Sequence, residues 1–410
     1  MVDNLGALDD VTIASDVVLD PVLVGFGDDE HTDLSSLLRR SDRPSPRGGR
    51  LNRRVAHSER EAAVRFSLSI LPFCDLQSEQ PYRRTFELCQ LAESVGFDTV
   101  MVGHHHFLEG QISDPFTLLS GIAVHTTTLR VATAIFLLPL HHPLQVAERV
   151  ATLDQLSAGR VSLGVGVGWN PTEYAAFGSS LAERGARIEE SLALLRILWT
   201  ELDVAGTGRF WKFPPVTVYP RPVQSPHPPI WVAGNAPAAI DRAARLGTHW
   251  LCDPVQTVDK VAELHVTYRE ACAAAGTTPS TVLRRYVWLG RDRATMERDF
   301  LPMFVNKQLA YWRVSTEGEA ERRLFSRIDA GEDVPVTEVA RGRFFGGSPD
   351  DVIEGIAGCR DLTGCTHISV GFGGGLSGRP EAASSLEAYE DTRDMITRFG
   401  RDVMSAFTTR

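Results

Sequence analysis

The sequence predicts an α/β protein built on a closed (β/α)8 TIM barrel, with insertions at the C-terminal face and an N-terminal extension. From Arg65 onward, short apolar and β-branched runs alternate with amphipathic helical segments, the pattern that builds a parallel sheet through right-handed crossovers. Eight such runs can be placed, and eight is the number that closes a barrel rather than leaving an open sheet. With 410 residues and 43% hydrophobic content the chain can fill one large core, since barrels of this kind take about 250 residues or more.

The expected strands are 66–71, 97–102, 129–136, 161–165, 230–233, 249–251, 282–289 and 367–372. Most are rich in Val, Ile and Phe and apolar on both faces, as strands of a helix-covered parallel sheet are. Helix signals fall between them: Pro81 in a first turn, Asp114-Pro115 opening a helix to His125, and apolar residues at helical spacing over 186–199. Segments 206–220 and 293–345 read as insertions, and insertions at the catalytic end of a barrel can act as lids. Residues 1–62 turn from acidic to arginine-rich, a tail composition, so they are expected to be a flexible extension of a barrel domain over 63–410. Within them the apolar run Val17-Val-Leu-Asp-Pro-Val-Leu-Val24 is a candidate docking segment.

A formal net charge of -10 argues against nucleic-acid binding, which needs clustered Lys and Arg. No run of about eighteen apolar residues is present, so no membrane span is expected. Six cysteines without a Cys-x-x-Cys pair point away from a disulfide framework or structural zinc and toward a reducing, cytoplasmic setting. A small-molecule substrate is the expected partner.

Three stretches carry chemistry. His104-His-His-Phe107 directly follows the second strand, where a barrel places its acting groups, and imidazole is the side chain best suited to move protons near neutral pH. Gly164-Val-Gly-Val-Gly-Trp-Asn-Pro-Thr-Glu-Tyr174 follows the fourth strand, but its spacing is not the dinucleotide fingerprint. Glycines there let a flat ring approach the backbone, and Trp169 and Tyr174 are either pocket lining or packing. Pro228-Pro-Ile-Trp-Val-Ala-Gly-Asn-Ala-Pro237 is a strand, a Gly-Asn turn and a helix start, either a phosphate site on free amides or a plain turn and cap.

Taken together, His105-His-Phe, Leu137-Leu-Pro-Leu-His-His-Pro-Leu-Gln-Val-Ala-Glu148, Leu153-Asp-Gln-Leu-Ser-Ala-Gly-Arg160, Gly164 to Gly178 and Pro222 to Gly234 resemble the bacterial luciferase-like superfamily of flavin-dependent oxidoreductases. The resemblance runs from Arg65 to the C-terminus. It implies a barrel that binds reduced FMN at the carboxyl ends of its strands, a separate flavin reductase as FMN donor, dioxygen as co-substrate and a homodimer. It assigns catalysis to His105, with His106 orienting it, and a non-prolyl cis peptide to Ala134-Ile135. Phosphate contacts fall on Gly234, Asn235 and Ala236, assisted by Arg184 in preference to Arg187. At the strand end Gly166 and Val167 stand where luciferase has a cysteine and an arginine, and His104 stands where it has a glutamate.

The implied reaction is that of a two-component monooxygenase acting on a small organic substrate. The alternative is hydride transfer with the deazaflavin coenzyme F-420, which the Gly166 to Glu173 stretch resembles equally well. A metal-dependent hydrolase needs ligands beyond His104-x-His106, so no metal ligand is assigned. A catalytically silent flavin-binding barrel is the remaining reading. His141 and His142 read as loop or cap residues with one candidate site contact, Asp154 as structural, the Met and Cys residues as core, and Glu387 to Asp394 as a solvated helix face.

Overall fold

The structure, a computed structural model, describes residues 63–71, 82–108, 110–302, 304–305, 319–372 and 386–407. The expectations for 1–62 and Pro81 lie outside the described residues. In chain order the strands are β1 (Arg65–Ile70), β2 (Thr99–Val102), β3 (Arg130–Thr133), β4 (Phe136–Leu137), β5 (Val161–Gly166), β6 (Val204–Thr207), β7 (Lys212–Val216), β8 (Ile230–Ala233), β9 (His249–Cys252), β10 (Thr281–Leu289), β11 (Phe344–Gly347) and β12 (His367–Phe372). The helices are α1 (Arg83–Val95), α2 (Pro115–His125), α3 (Pro143–Leu156), α4 (Pro171–Ala176), α5 (Arg184–Thr200), α6 (Pro237–Leu246), α7 (Val258–Ala275), α8 (Arg293–Asp299), α9 (Glu319–Asp329), α10 (Val336–Ala340), α11 (Pro349–Thr363) and α12 (Leu386–Arg398).

Parallel pairing runs β10-β12-β1-β2-β3-β5-β8-β9, and β9 returns to β10 through Trp250 opposite Thr281, closing an eight-stranded barrel. The eight expected strands are these eight. The run expected over 129–136 is split into β3 and β4, with the peptide bond Ala134-Ile135 between them cis. β11, which the sequence reading missed, pairs with the second half of β10, beyond the residues that β9 uses.

Strand alternation divides the interior in two. Outward residues such as Leu68, Val100, Val131, Leu163, Val232 and Ile368 pack against the helices. Inward residues Met101, Ala132, Ala134, Trp231, Leu251 and Val282 fill the barrel. At Gly164 the lining is so tight that a Cβ would stand 2.0 Å from the Thr133 carbonyl oxygen, which explains the glycine.

The Leu153 to Arg160 stretch is a structural clamp. Fully buried Asp154 accepts from the amides of Val223 (2.7 Å) and Gln224 (2.9 Å) with Oδ2, and from Gln224 Nε2 (2.7 Å) with Oδ1. Arg160 donates to the carbonyls of Ala123, Leu129 and Ser157. Asp154→Ala leaves the Val223 and Gln224 amides without this acceptor and Gln224 Nε2 with only the Val161 carbonyl, and since a stranded buried donor costs about 1–3 kcal/mol, chemical denaturation is expected to show a loss of at least about 1–3 kcal/mol. An unchanged midpoint would contradict the clamp.

The 206–220 insertion overlaps the β6–β7 hairpin, which starts two residues earlier at Val204 and is pinned to α5. Buried Glu190 accepts from the amides of Phe210 and Trp211, Trp211 Nε1 donates to Ser191 Oγ (2.9 Å), and the Arg187 guanidinium lies 4.7 Å from the Trp211 ring centroid. The described part of the 293–345 insertion has its own small core, with Phe300, Phe304, Phe325 and Val339 packed against Tyr286 and Trp288 of β10. Among the described residues no helix is long and apolar enough to cross a membrane.

Candidate active site

The chain leaves β2 into His104, His105 and His106, whose rings alternate in direction. His105 points toward α4. Its Nδ1 lies 3.2 Å from Glu173 Oε1, and the same oxygen accepts the backbone N–H of His106 at 2.7 Å. Glu173 is fully buried in the first turn of α4, which Asn170 caps by accepting the Thr172 amide. Glu173 Oε1 accepts the His105 Nδ1 proton as a hydrogen bond, which leaves the Nε2 lone pair free for chemistry. The His105 side chain is 17% exposed, so that nitrogen can be reached, and its ring centroid is 5.8 Å from that of Trp169.

His104 and His106 turn the other way and meet His141. The Leu137 amide donates to His104 Nδ1 (3.2 Å), and His104 Nε2 lies 2.9 Å from His106 Nε2. Burial, reinforced by His106 and His141, pushes the His104 pKa down to about 2, so the ring is neutral. A neutral imidazole that accepts at Nδ1 carries its proton on Nε2. His104 therefore donates to His106 Nε2, and the proton of a neutral His106 sits on Nδ1. Burial also depresses His106, and takes His141 down to about 4. Phe136 stacks on His104 and His141 at 4.9 and 4.4 Å, and Phe177 flanks His106 at 4.5 Å.

Ligand nitrogens of His104, His106 and His141 all lie within 4.8 Å of one another, a spacing that one transition-metal ion could bridge. The Leu137 hydrogen bond opposes this, because a proton on His104 Nε2 occupies the lone pair a metal would need. His142 does what the sequence reading allowed for it: it caps α3 by accepting the Leu144 amide at Nδ1 (3.2 Å).

Several expected contacts act differently. The His106 ring makes no hydrogen bond to His105; the orienting group is Glu173, whose role sequence reasoning did not assign. Tyr174 is fully buried and its hydroxyl donates to the Val167 carbonyl, so it braces the strand end and has no free hydroxyl to offer. Above Gly166 the space is filled by Ile135, since a Cβ there would stand 2.5 Å from Ile135 Cδ1. Gly166 thus admits Ile135, which is half-buried and packs against the inward filling of the barrel.

At β8 the turn Gly234-Asn235-Ala236 leads into α6, which has no side-chain cap. Asn235 is not the cap, because its Nδ2 donates to Asp253. The positive end of α6 is left open, which suits a phosphate group such as that of a flavin nucleotide. Arg184 opens α5, donating to the Leu181 carbonyl (2.8 Å), and its neighbour Gly185 receives Arg242 of α6 (3.4 Å). Arg187 is committed elsewhere, to the Pro139 carbonyl (3.0 Å) and the Trp211 ring.

A parallel barrel with a histidine–carboxylate pair and an uncapped helix N-terminus at its carboxyl face has its candidate site where barrel enzymes place theirs. The chain belongs to the luciferase-like monooxygenase family, whose model matches residues 64–366. It is 32% identical over 216 residues to the oxygenase component of a flavin-dependent trigonelline monooxygenase from Acinetobacter baylyi, covering 51% of this chain and 60% of that protein. It is 27% identical over 289 residues to an F420-dependent glucose-6-phosphate dehydrogenase from Kineococcus radiotolerans, covering 68% of this chain and 83% of that protein. Among solved structures, monooxygenase RslO1 from Streptomyces bottropensis superposes with a TM-score of 0.63 at 26% identity, covering 84% of this chain and all of that one. The chain thus spans less than two thirds of the trigonelline enzyme's oxygenase component.

Proposed function

We propose that the chain is the oxygenase component of a two-component monooxygenase that uses reduced FMN, delivered by a separate flavin reductase, and dioxygen to oxidise a small organic substrate. The observation that carries the reading is the His105–Glu173 pair at the barrel mouth, set beside an open helix end suited to the flavin phosphate. The bound flavin supplies the oxygen-activating chemistry. Glu173 holds His105 in one tautomer, and His105 gives or takes a proton at Nε2 as the substrate reacts. His104 keeps His106 neutral and fixed beside it. Ile135, Val167 and Trp169 flank the ring site, while the amides of Gly234 to Ala236 and Arg184 bind the phosphate. The barrel domain is taken as 63–410, with 1–62 an accessory extension and a homodimer as the working assembly. Five buried, free cysteines among the described residues suit a reducing cytoplasm.

The likeness to the F420-dependent dehydrogenase favours a second reading, hydride transfer with a deazaflavin. Anaerobic titration separates the two. Reduced FMN is expected to bind more tightly than reduced coenzyme F-420, and the reverse order moves the chain to hydride transfer.

A further inference from the structure

On β10, Val282 lies in the apolar filling of the barrel, so strand alternation puts Arg284 on the same inward face, one level nearer the mouth. Its guanidinium donates to the Ala134 carbonyl (Nη1, 3.4 Å) and to Ser69 Oγ (Nη2, 3.1 Å), both neutral and both long for an arginine. Its Nε is buried with no partner, and no ion pair among the described residues involves it. The carboxylates described at neighbouring strand ends form no ion pair with it, although Glu173 Oε2 is itself buried without a partner. Glu173 serves His105 and the His106 amide, and Asp253 serves Asn235 and the amides of Val255 and Gln256.

Other donors in the barrel also lack acceptors. Ser369, in register with Arg284 on β12, is fully buried with its hydroxyl unpartnered, and so is the indole N–H of Trp231. Among the described residues the lumen therefore holds a cation and several unpartnered donors with no anion paired to them. A half-buried guanidinium without a counter-charge pays its desolvation cost without return until an anion arrives, and its planar fork matches a planar oxyanion.

We propose that Arg284 is a specificity-determining residue that receives a carboxylate, or a similar planar oxyanion, on the organic substrate. The inference rests on the proposed reading in one respect, that a small organic substrate enters the barrel mouth. The reduced flavin is itself an anionic ligand, so the same chemistry has two sources that the test must separate.

The test uses full-length protein, with and without reduced FMN, and two probe pairs of nearly equal shape: nicotinate against nicotinamide, and benzoate against benzamide. Calorimetric titration of the wild type is expected to favour the carboxylate of at least one pair by about tenfold or more. Arg284→Gln is expected to abolish that preference while leaving the affinity for reduced FMN within about twofold, and Arg284→Lys to retain part of it. Thermal melting of each variant shows that the fold survives. No carboxylate preference in the wild type at millimolar probe overturns the proposal. So does an Arg284→Gln variant that keeps the preference but loses reduced FMN, which reassigns the arginine to the flavin. Should F-420 rather than FMN bind, the cofactor reading fails while the carboxylate preference is still measured independently.

Discussion

Replacing His105 with Ala is expected to lower turnover by about a hundredfold or more while leaving reduced-flavin binding nearly intact. The imidazole is the reachable proton-transfer group at the end of β2, and its loss removes the chemistry without disturbing the open α6 terminus where the phosphate is placed. Glu173→Gln is the sharper companion. Glutamine Oε1 can still accept the His106 amide and the His105 Nδ1 proton, so the loop stays folded, but the carboxylate that would balance a protonated His105 during turnover is gone. Turnover is expected to fall by about tenfold or more, with a changed pH profile and unchanged flavin affinity. Steady-state kinetics on any substrate the wild type accepts, paired with anaerobic flavin titration, checks both. Normal turnover in His105→Ala removes that residue from the mechanism.

Acid is expected to destabilise the fold well above the carboxylate range. Burial lowers several histidines from 6.5, five of them far: His104 to about 2, His367 to about 3, and His141, His249 and His265 to about 4. Below pH 6.5 the unfolded chain takes up protons that the folded chain refuses, so stability falls as pH falls and keeps falling until the folded values are passed. Each histidine contributes a slope of at most about 1.4 kcal/mol per pH unit, so two titrating fully remove about 5 kcal/mol over two units, comparable to the whole stability of many domains. Denaturation midpoints measured from pH 7 to pH 4.5 are expected to drop steadily, and a flat profile between 7 and 5 would contradict this histidine burial.

Short apolar runs carried most of the fold because buried parallel strands are mostly apolar, and all eight barrel strands were legible from them. β11 was not. Phe344-Phe-Gly-Gly347 is a four-residue strand at the end of a long insertion, and only its pairing with β10 makes it one. The 129–136 run was read as continuous because composition does not show where the chain leaves the ladder between β3 and β4.

The histidine run at the site was equally legible, and its supports were not. Glu173 lies 67 residues from His106, and a glutamate in the first turn of a proline-opened helix reads as a helix-end residue. A capping signal, Asn170-Pro171, was present to place α4 but could not say that its glutamate faces the β2 loop. His104 read as a departure from the family's glutamate; in the fold its ring is instead locked by the Leu137 amide. Within Leu283-Arg-Arg-Tyr286 the sequence does not say which arginine faces the barrel interior. The fold resolves it, with Arg284 inside and Arg285 buried on the outer face.

This barrel is proposed to hold reduced flavin for reaction with dioxygen. The most direct test is to load purified protein anaerobically with reduced FMN and then admit air while following flavin absorbance. Tight binding is expected, with an oxygen-dependent spectral transient that decays on the protein, distinct from the immediate reoxidation of free FMN. Reduced FMN that stays unbound, or that reoxidises as it does in free solution, would contradict it.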